Sequence, residues 1–273
     1  MLILYWFVFL VAIWLKTYLN EIRVDRWFSK DLGIRGYFLG AFSGAITPFC
    51  SCTTVPVFIA MIEGDIRLGY AMSFLISSPT LNLPVIILFY ALFGGKLTLV
   101  YVTACFLIAV IGGVILGSDK LRRYLLEILF ITPEQPQFRL REVNMQYIRF
   151  IPSFIPVVIV AAAIATWLKG WVPSSVLLGF LENNLGIAIP GAVAVGGAIY
   201  ADIGILVPIG DLFLSKGLDT GLIFAFMMAA SGVGLPSMIL LTKIFKKQLL
   251  GMYLITIFLL FTLTGFLVSF TFS

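Results

Sequence analysis

The chain contains no histidine, only three cysteines and little charge: Lys, Arg, Asp and Glu make up 11% of its 273 residues, against about 25% in a typical soluble domain. The shortage of His and Cys excludes a His-rich or Cys-rich metal-handling loop. No phosphate-cradling glycine loop or other ATP-binding motif occurs, and no stretch reads as a soluble catalytic domain. What is present instead is apolar. Hydrophobic residues account for 61% of the chain, well above the roughly 45–50% of soluble proteins. A soluble enzyme of this composition would have nowhere to put its surface, so that class is excluded.

The apolar residues fall in long runs. Met1–Leu19 carries one charge, Lys16; Tyr70–Phe93, Thr98–Gly117, Ile151–Leu168, Gly221–Thr242 and Leu249–Ser273 carry none. Each run is near the ~20 residues that cross a bilayer as a helix, and backbone groups in lipid must be satisfied within their own segment. The expected class is an all-α, multi-pass protein of the cell (inner) membrane. Met1–Leu19 lacks the basic start and small-residue cleavage site of a signal peptide and is expected to belong to the fold.

Shifting the sequence by 152 residues aligns its halves without a gap. Gly44 meets Gly196, Val55-Pro56 meets Val207-Pro208, Gly69 meets Gly221, Leu83-Pro84 meets Leu235-Pro236, and Tyr101 and Gly113 meet Tyr253 and Gly265. The expected organisation is a first transmembrane repeat over 1–117, a cytoplasmic linker over 118–149 and a second repeat over 150–273. Each half has a first span (Met1–Leu19, or about Ser153–Trp171), an interfacial stretch, an interrupted apolar stretch (Gly36–Ile62, or Ala188–Leu214) and two further spans. Such duplication is common in secondary transporters.

The interrupted stretch holds Pro48 and Pro56 on either side of the polar run Cys50-Ser51-Cys52-Thr53-Thr54. Proline removes a backbone donor and clashes with the preceding turn, which predicts either one kinked crossing or a re-entrant hairpin of two half-helices. Basic residues concentrate in cytoplasmic loops. Three basic groups stand out: Arg23/Arg26/Lys30/Arg35, the loop Ser118–Arg149, and Lys243/Lys246/Lys247. All three share one side only if the stretch does not cross. Each half then has three crossings and the halves are inverted. Counting the stretch as a crossing gives eight spans and parallel halves instead. Charge favours the inverted reading. Gly40, Gly44, Gly191, Gly196 and Gly197 are expected to permit close helix packing.

Three groups of residues could carry function. Cys50 and Cys52, beside a helix break, suit a soft ion or thiophilic solute, since thiolates prefer soft partners and unpaired N–H groups at half-helix ends favour the thiolate. Any metal at Cys50 and Cys52 would be cargo, and adjacent-but-one thiols are expected to stay free. Cys105 lies inside an apolar span and reads as a small hydrophobe. Asp202, opposite Cys50 in the repeat, sits in the apolar tract AIYADIGILVP; a carboxylate at membrane depth usually marks a proton or ion path. The third group is Ser77-Ser78-Pro79-Thr80-Leu81-Asn82-Leu83-Pro84, at midspan, with Ser231-Gly232-Val233-Gly234-Leu235-Pro236 as its mate. Broken helices of this kind offer backbone groups to a midplane solute. The expected solute contacts are Cys50, Ser51, Cys52, Thr53, Thr54, Thr80 and Asn82; the expected helix breaks are Pro48, Pro56, Pro79, Pro84, Pro208 and Pro236.

Over Thr47–Asn82, and above all in Pro-Phe-Cys-Ser-Cys, the Val-Pro that follows and the later Ser-Pro-x-x-Asn, the sequence resembles the YraQ-like predicted permeases, a family that includes the ArsP organoarsenical efflux permeases. The resemblance is strongest over Gly36–Pro84; in the second half Gly234-Leu235-Pro236-Ser237-Met238 is its best echo. It implies a multi-span permease with the Cys pair in the transport path.

These readings combine into a secondary transporter that exports a thiophilic solute, such as a trivalent organoarsenical or a soft metal ion, with no cofactor and no enzymatic activity. Two alternatives stay open: uptake of a sulfur-containing small molecule, and a membrane thiol oxidoreductase. The distribution of Cys speaks against the last, because the second half has none. The expected partners are the solute or ion, the lipid bilayer and, as an open option, a second copy of the chain; nucleic acid is not among them.

Overall fold

The computed structural model describes residues 32–47, 51–64, 66–125, 185–198, 203–215 and 217–272. These form helices α1 (Ile34–Ile46), α2 (Ser51–Glu63), α3 (Leu68–Thr80), α4 (Leu83–Leu116), α5 (Asp119–Arg122), α6 (Leu185–Ala198), α7 (Ile203–Ser215), α8 (Thr220–Gly232), α9 (Leu235–Leu241) and α10 (Lys247–Phe272). Among the described residues no β-strand forms, only an isolated antiparallel bridge between Leu125 and Phe245. The expected all-α class is met. The first spans, Met1–Leu19 and Ser153–Trp171, and the linker beyond Leu125 lie outside the described residues.

Two helices are long and apolar enough to cross a bilayer, Val85–Leu116 and Lys247–Phe272. The first is not one rod. Gly94 adopts φ 75° and ψ 172° within it, a backbone state open to glycine and costly for other residues. Phe89 and Tyr101 stack with ring centroids 4.3 Å apart, whereas twelve residues of straight helix would separate them by about 18 Å. α4 is therefore two arms folded against each other at Gly94, and the arm over 95–116 alone keeps the ~20 residues of a crossing. Helices α1, α2 and α3 have 13 residues each, about 20 Å at 1.5 Å per residue. That is short of the ~30 Å hydrocarbon core, so no one of them spans it alone.

Helix α3 is buried along its whole length. α1 lies on it through small residues: a Cβ on Gly44 would stand 2.9 Å from Ser77 Cβ, and one on Gly40 would collide with the Tyr70 carbonyl. α6 lies on α8 in the same way: a Cβ on Gly196 would stand 2.7 Å from the Phe226 carbonyl and 3.1 Å from Ala229 Cβ. Among the described residues, nothing lies within 4 Å of a Cβ on Gly191, and Gly197 meets Val233 Cγ1 at 4.0 Å, so the close approach of α6 to α8 is made at Gly196. The outward faces are apolar, with Leu99, Ile255, Leu263 and Phe270 exposed. That is the surface a lipid-facing helix presents.

The break expected at Pro56 lies earlier in the chain. α1 ends at Ile46, α2 begins at Ser51, and the helix runs through Pro56. α7 likewise runs through Pro208. Both prolines are the sixth residue of their helix, so each withholds one N–H, from the carbonyls of Cys52 and Gly204. The remaining ladder holds where no water competes for it. Pro79 falls in the last turn of α3, while Pro84 and Pro236 fall at the second position of α4 and α9. A missing N–H costs nothing in a first turn, so these prolines mark helix starts just after the breaks at Leu81–Asn82 and Val233–Gly234. Pro48 lies outside the described residues.

Candidate functional site: the break between α3 and α4

The Cys-Ser-Cys run leads into α2. Ser51, Cys52, Thr53 and Thr54 make up its first turn, where the first four backbone N–H groups have no partner within the helix. Thr54 is buried, and its Oγ1 shares a hydrogen bond of 3.0 Å with Ser78 Oγ. Ser77 Oγ donates to the Ala41 carbonyl at 2.6 Å. The end of α3 is thus tied to α2 by one serine and to α1 by the next, which brings the start of the Cys-bearing helix against the Ser77–Asn82 segment.

Thr80 closes α3. Its hydroxyl donates back to the Ile76 and Ser77 carbonyls at 3.0 and 3.1 Å, the local bond that lets a threonine sit in an apolar helix. Asn82 Oδ1 accepts from the Val85 N–H at 2.9 Å and so caps α4, which also explains why the chain restarts as helix there. Of the predicted contacts, the side chains of Thr54, Thr80 and Asn82 are described, and each makes a structural hydrogen bond. Cys50 and Asp202 lie outside the described residues.

One grouping is not visible in the sequence. Cys105 is buried in the core, as its apolar setting implies, and lies beside the Tyr101 hydroxyl and Thr80, while Tyr101 in turn faces Ser231 of α8. The Tyr101 hydroxyl donates to the Thr80 carbonyl at 3.4 Å. The available signal was that Tyr101 and Cys105 are four apart and share one face of a helix; that pattern alone does not set them apart from core residues.

Short apolar helices broken at buried hydroxyl groups, beside others long enough to cross a bilayer, are the construction of an integral membrane permease. The chain belongs to the predicted permease family ArsP_1, whose model matches residues 1–270. It is similar to the UPF0718 protein YcgR of Bacillus subtilis, 23% identical over 92% of this chain and 86% of the relative. It is also similar to the UPF0718 protein YraQ of Escherichia coli, 24% identical over 90% of this chain and 74% of the relative. No solved structure matches.

Proposed function

We propose that the chain is a multi-pass secondary transporter of the cell (inner) membrane that exports a thiophilic solute, such as a trivalent organoarsenical or a soft metal ion. Cys50 and Cys52 bind the solute, Ser51, Thr53, Thr54, Thr80 and Asn82 line its site, and Asp202 carries a coupling proton. The observation that carries this reading is the Thr54–Ser78 hydrogen bond. It sets the first turn of the helix that follows Cys50 against a helix break, where polar backbone is available to a solute at membrane depth.

The reading includes two inverted halves, 1–117 and 150–273, joined by a cytoplasmic linker over 118–149. Three observations support it. The helices recur at the 152-residue offset: α7 (Ile203–Ser215) stands at the offset of α2 (Ser51–Glu63), and α8 (Thr220–Gly232) at that of α3 (Leu68–Thr80). Contacts between the halves are exchanged. Phe58 of α2 meets Phe245 edge-on at 5.7 Å, and the offset partners of that pair also meet, since a Cβ on Gly210 would lie 3.4 Å from Phe93. Reciprocal contacts of this kind are the mark of a two-fold axis. Finally, the basic groups after α4 and before α10 touch: Lys246 N–H donates to the Tyr124 carbonyl at 2.8 Å and its Nζ to the Arg123 carbonyl at 3.1 Å. Eight spans in parallel halves would put these groups on opposite membrane faces; inverted halves put them on one.

The test is accumulation of methylarsenite, arsenite and Cu(I) in arsenic-sensitive cells, with the intact chain compared with Cys50→Ser/Cys52→Ser at matched membrane levels. Lower accumulation of one solute by the intact chain, lost in the double variant, is the expected result. If neither protein changes any of the three, thiophilic efflux fails.

A further inference from the structure

The buried cluster on α3, α4 and α8 has an imbalance of donors and acceptors. Thr80, Tyr101 and Cys105 are each 1% exposed and Ser231 is 4% exposed. A hydroxyl has one proton and two acceptor lone pairs. The Thr80 proton goes to the Ile76 or Ser77 carbonyl, that of Ser231 to the Met227 carbonyl at 2.8 Å or Met228 at 3.3 Å, and that of Tyr101 to the Thr80 carbonyl. All three protons are spent on main-chain carbonyls. The hydroxyl oxygens therefore face one another with lone pairs, and the one donor left over in the cluster is the Cys105 S–H, a weak one. Each of these oxygens is bonded through its own proton, and its spare lone pairs are open to a positively charged guest.

A second observation has the same sign. α3 ends at Thr80 and α8 ends at Gly232, and these ends adjoin: a Cβ on Gly232 would lie 3.1 Å from Thr80 Cγ2. Two helix C-termini, each carrying partial negative charge, meet at the cluster. The buried polar side chains among the described residues are all hydroxyls, so no buried Lys or Arg of that set offsets them.

We propose that the Thr80–Tyr101–Cys105–Ser231 cluster binds a small monovalent alkali cation, with the three hydroxyl oxygens and the carbonyls at the ends of α3 and α8 as ligands. Half-helix C-termini and unwound carbonyls are the usual seat of a sodium ion in broken-helix transporters. A divalent ion does not suit it: Ca²⁺ and Mg²⁺ draw on carboxylates, and the cluster has none. Because the ligands come from both halves, the ion would clamp them together. Its role as a coupling ion rests on the transporter reading; its binding does not, and binding is what the experiment reads.

The purified full chain in nanodiscs of neutral lipid is melted at constant ionic strength and pH while choline chloride is replaced by lithium, sodium, potassium or rubidium chloride. The expected result is a saturable rise in melting temperature with one of the smaller alkali ions. Tyr101→Phe and Ser231→Ala each remove one oxygen from a charged guest and should raise the half-saturating concentration roughly tenfold or more. Thr103→Val, on an exposed part of α4, should leave it unchanged. No ion-specific rise, or the same rise in both cluster variants, overturns the proposal. Should Ser231→Ala fail to fold, Tyr101→Phe decides alone, since it keeps the ring and its stacking on Phe89. Solute accumulation plays no part in the readout, so the ion site and the thiophilic cargo fail separately.

Discussion

The two helix breaks at the centre of the molecule, Leu81–Asn82 and Val233–Gly234, stand 152 positions apart and are built from opposite materials. Around the first are Thr54, Ser77, Ser78, Thr80 and Asn82; the same offsets around the second give Leu206, Ala229, Ala230, Gly232 and Gly234. The first break is knitted by side chains, through Thr54–Ser78, Ser77–Ala41 and the Asn82 cap. Among the described side chains at the second, the hydroxyl is that of Ser231, and it donates to its own helix. The helix bounds recur at the 152-residue offset while the polar side chains do not. The lesson is that packing positions can match across an offset where hydrogen-bonding chemistry differs. The first break is also the stiffer by construction, because three interhelical or capping bonds must open before it moves.

The largest expected effect tests the symmetric frame. A Cβ on Gly221 collides with the Gly265 carbonyl and stands 2.5 Å from Ser269 N and 2.7 Å from Ser269 Cβ. At Gly69, the offset partner, it meets Tyr37 Cε1 at 2.5 Å, Gly117 Cα at 2.9 Å and the Gly113 carbonyl at 3.1 Å. The Tyr37 ring can swing aside; the α10 backbone cannot. Gly221→Ala should therefore cost about 3 kcal/mol or more and Gly69→Ala less, about 1–2 kcal/mol, read as thermal stability of the purified proteins. Equal losses would mean that α8–α10 has as much give as α3–α4.

A smaller effect tests the one-sided chemistry. In a double-mutant cycle, Thr54→Val and Ser78→Ala should show a coupling of about 1 kcal/mol, because each change removes one partner of the buried Thr54–Ser78 bond. Ser77→Ala should cost a similar amount through its bond to Ala41. A coupling near zero would leave α2 held to α3 by apolar packing alone, and the contrast between the breaks would lose its energetic meaning.

Much of the frame was legible because lipid enforces it. Apolar runs, proline pairs and the register of the two halves are written in residue types, and helix is the form such runs take away from water. The segment Ser77–Pro84 announced a break, and the break is there, at Leu81–Asn82. What could not be read was which proline ends a helix. Pro56 and Pro84 look alike in sequence, yet one sits six residues into α2 and the other in the first turn of α4, a difference of register that depends on where the preceding helix stops. The fold-back at Gly94 was equally hidden, since Gly94-Gly95 in an apolar run also suits a straight packed helix. Cys105 is buried in the core as its apolar setting in sequence implies, but its contacts with Thr80 and Tyr101 depend on how α3 and α4 pack and are not written in the sequence.

The smallest expected effect has the opposite sign. Thr262 Oγ1 on α10 is buried and has no hydrogen-bond partner among the described residues. The residue 152 positions earlier is Val110, buried in α4. A buried hydroxyl without a partner is a net cost, and removing it for an isosteric methyl group is neutral or stabilising. Thr262→Val, which makes the two halves alike at this position, should leave stability unchanged or raise it by up to about 1 kcal/mol, a rise in melting temperature of a few degrees at most. A fall of about 1 kcal/mol instead would show that Thr262 donates to a group outside the described residues. That result would place a polar contact in the second half where the first has none, and the chemistry would no longer be confined to the side of α3.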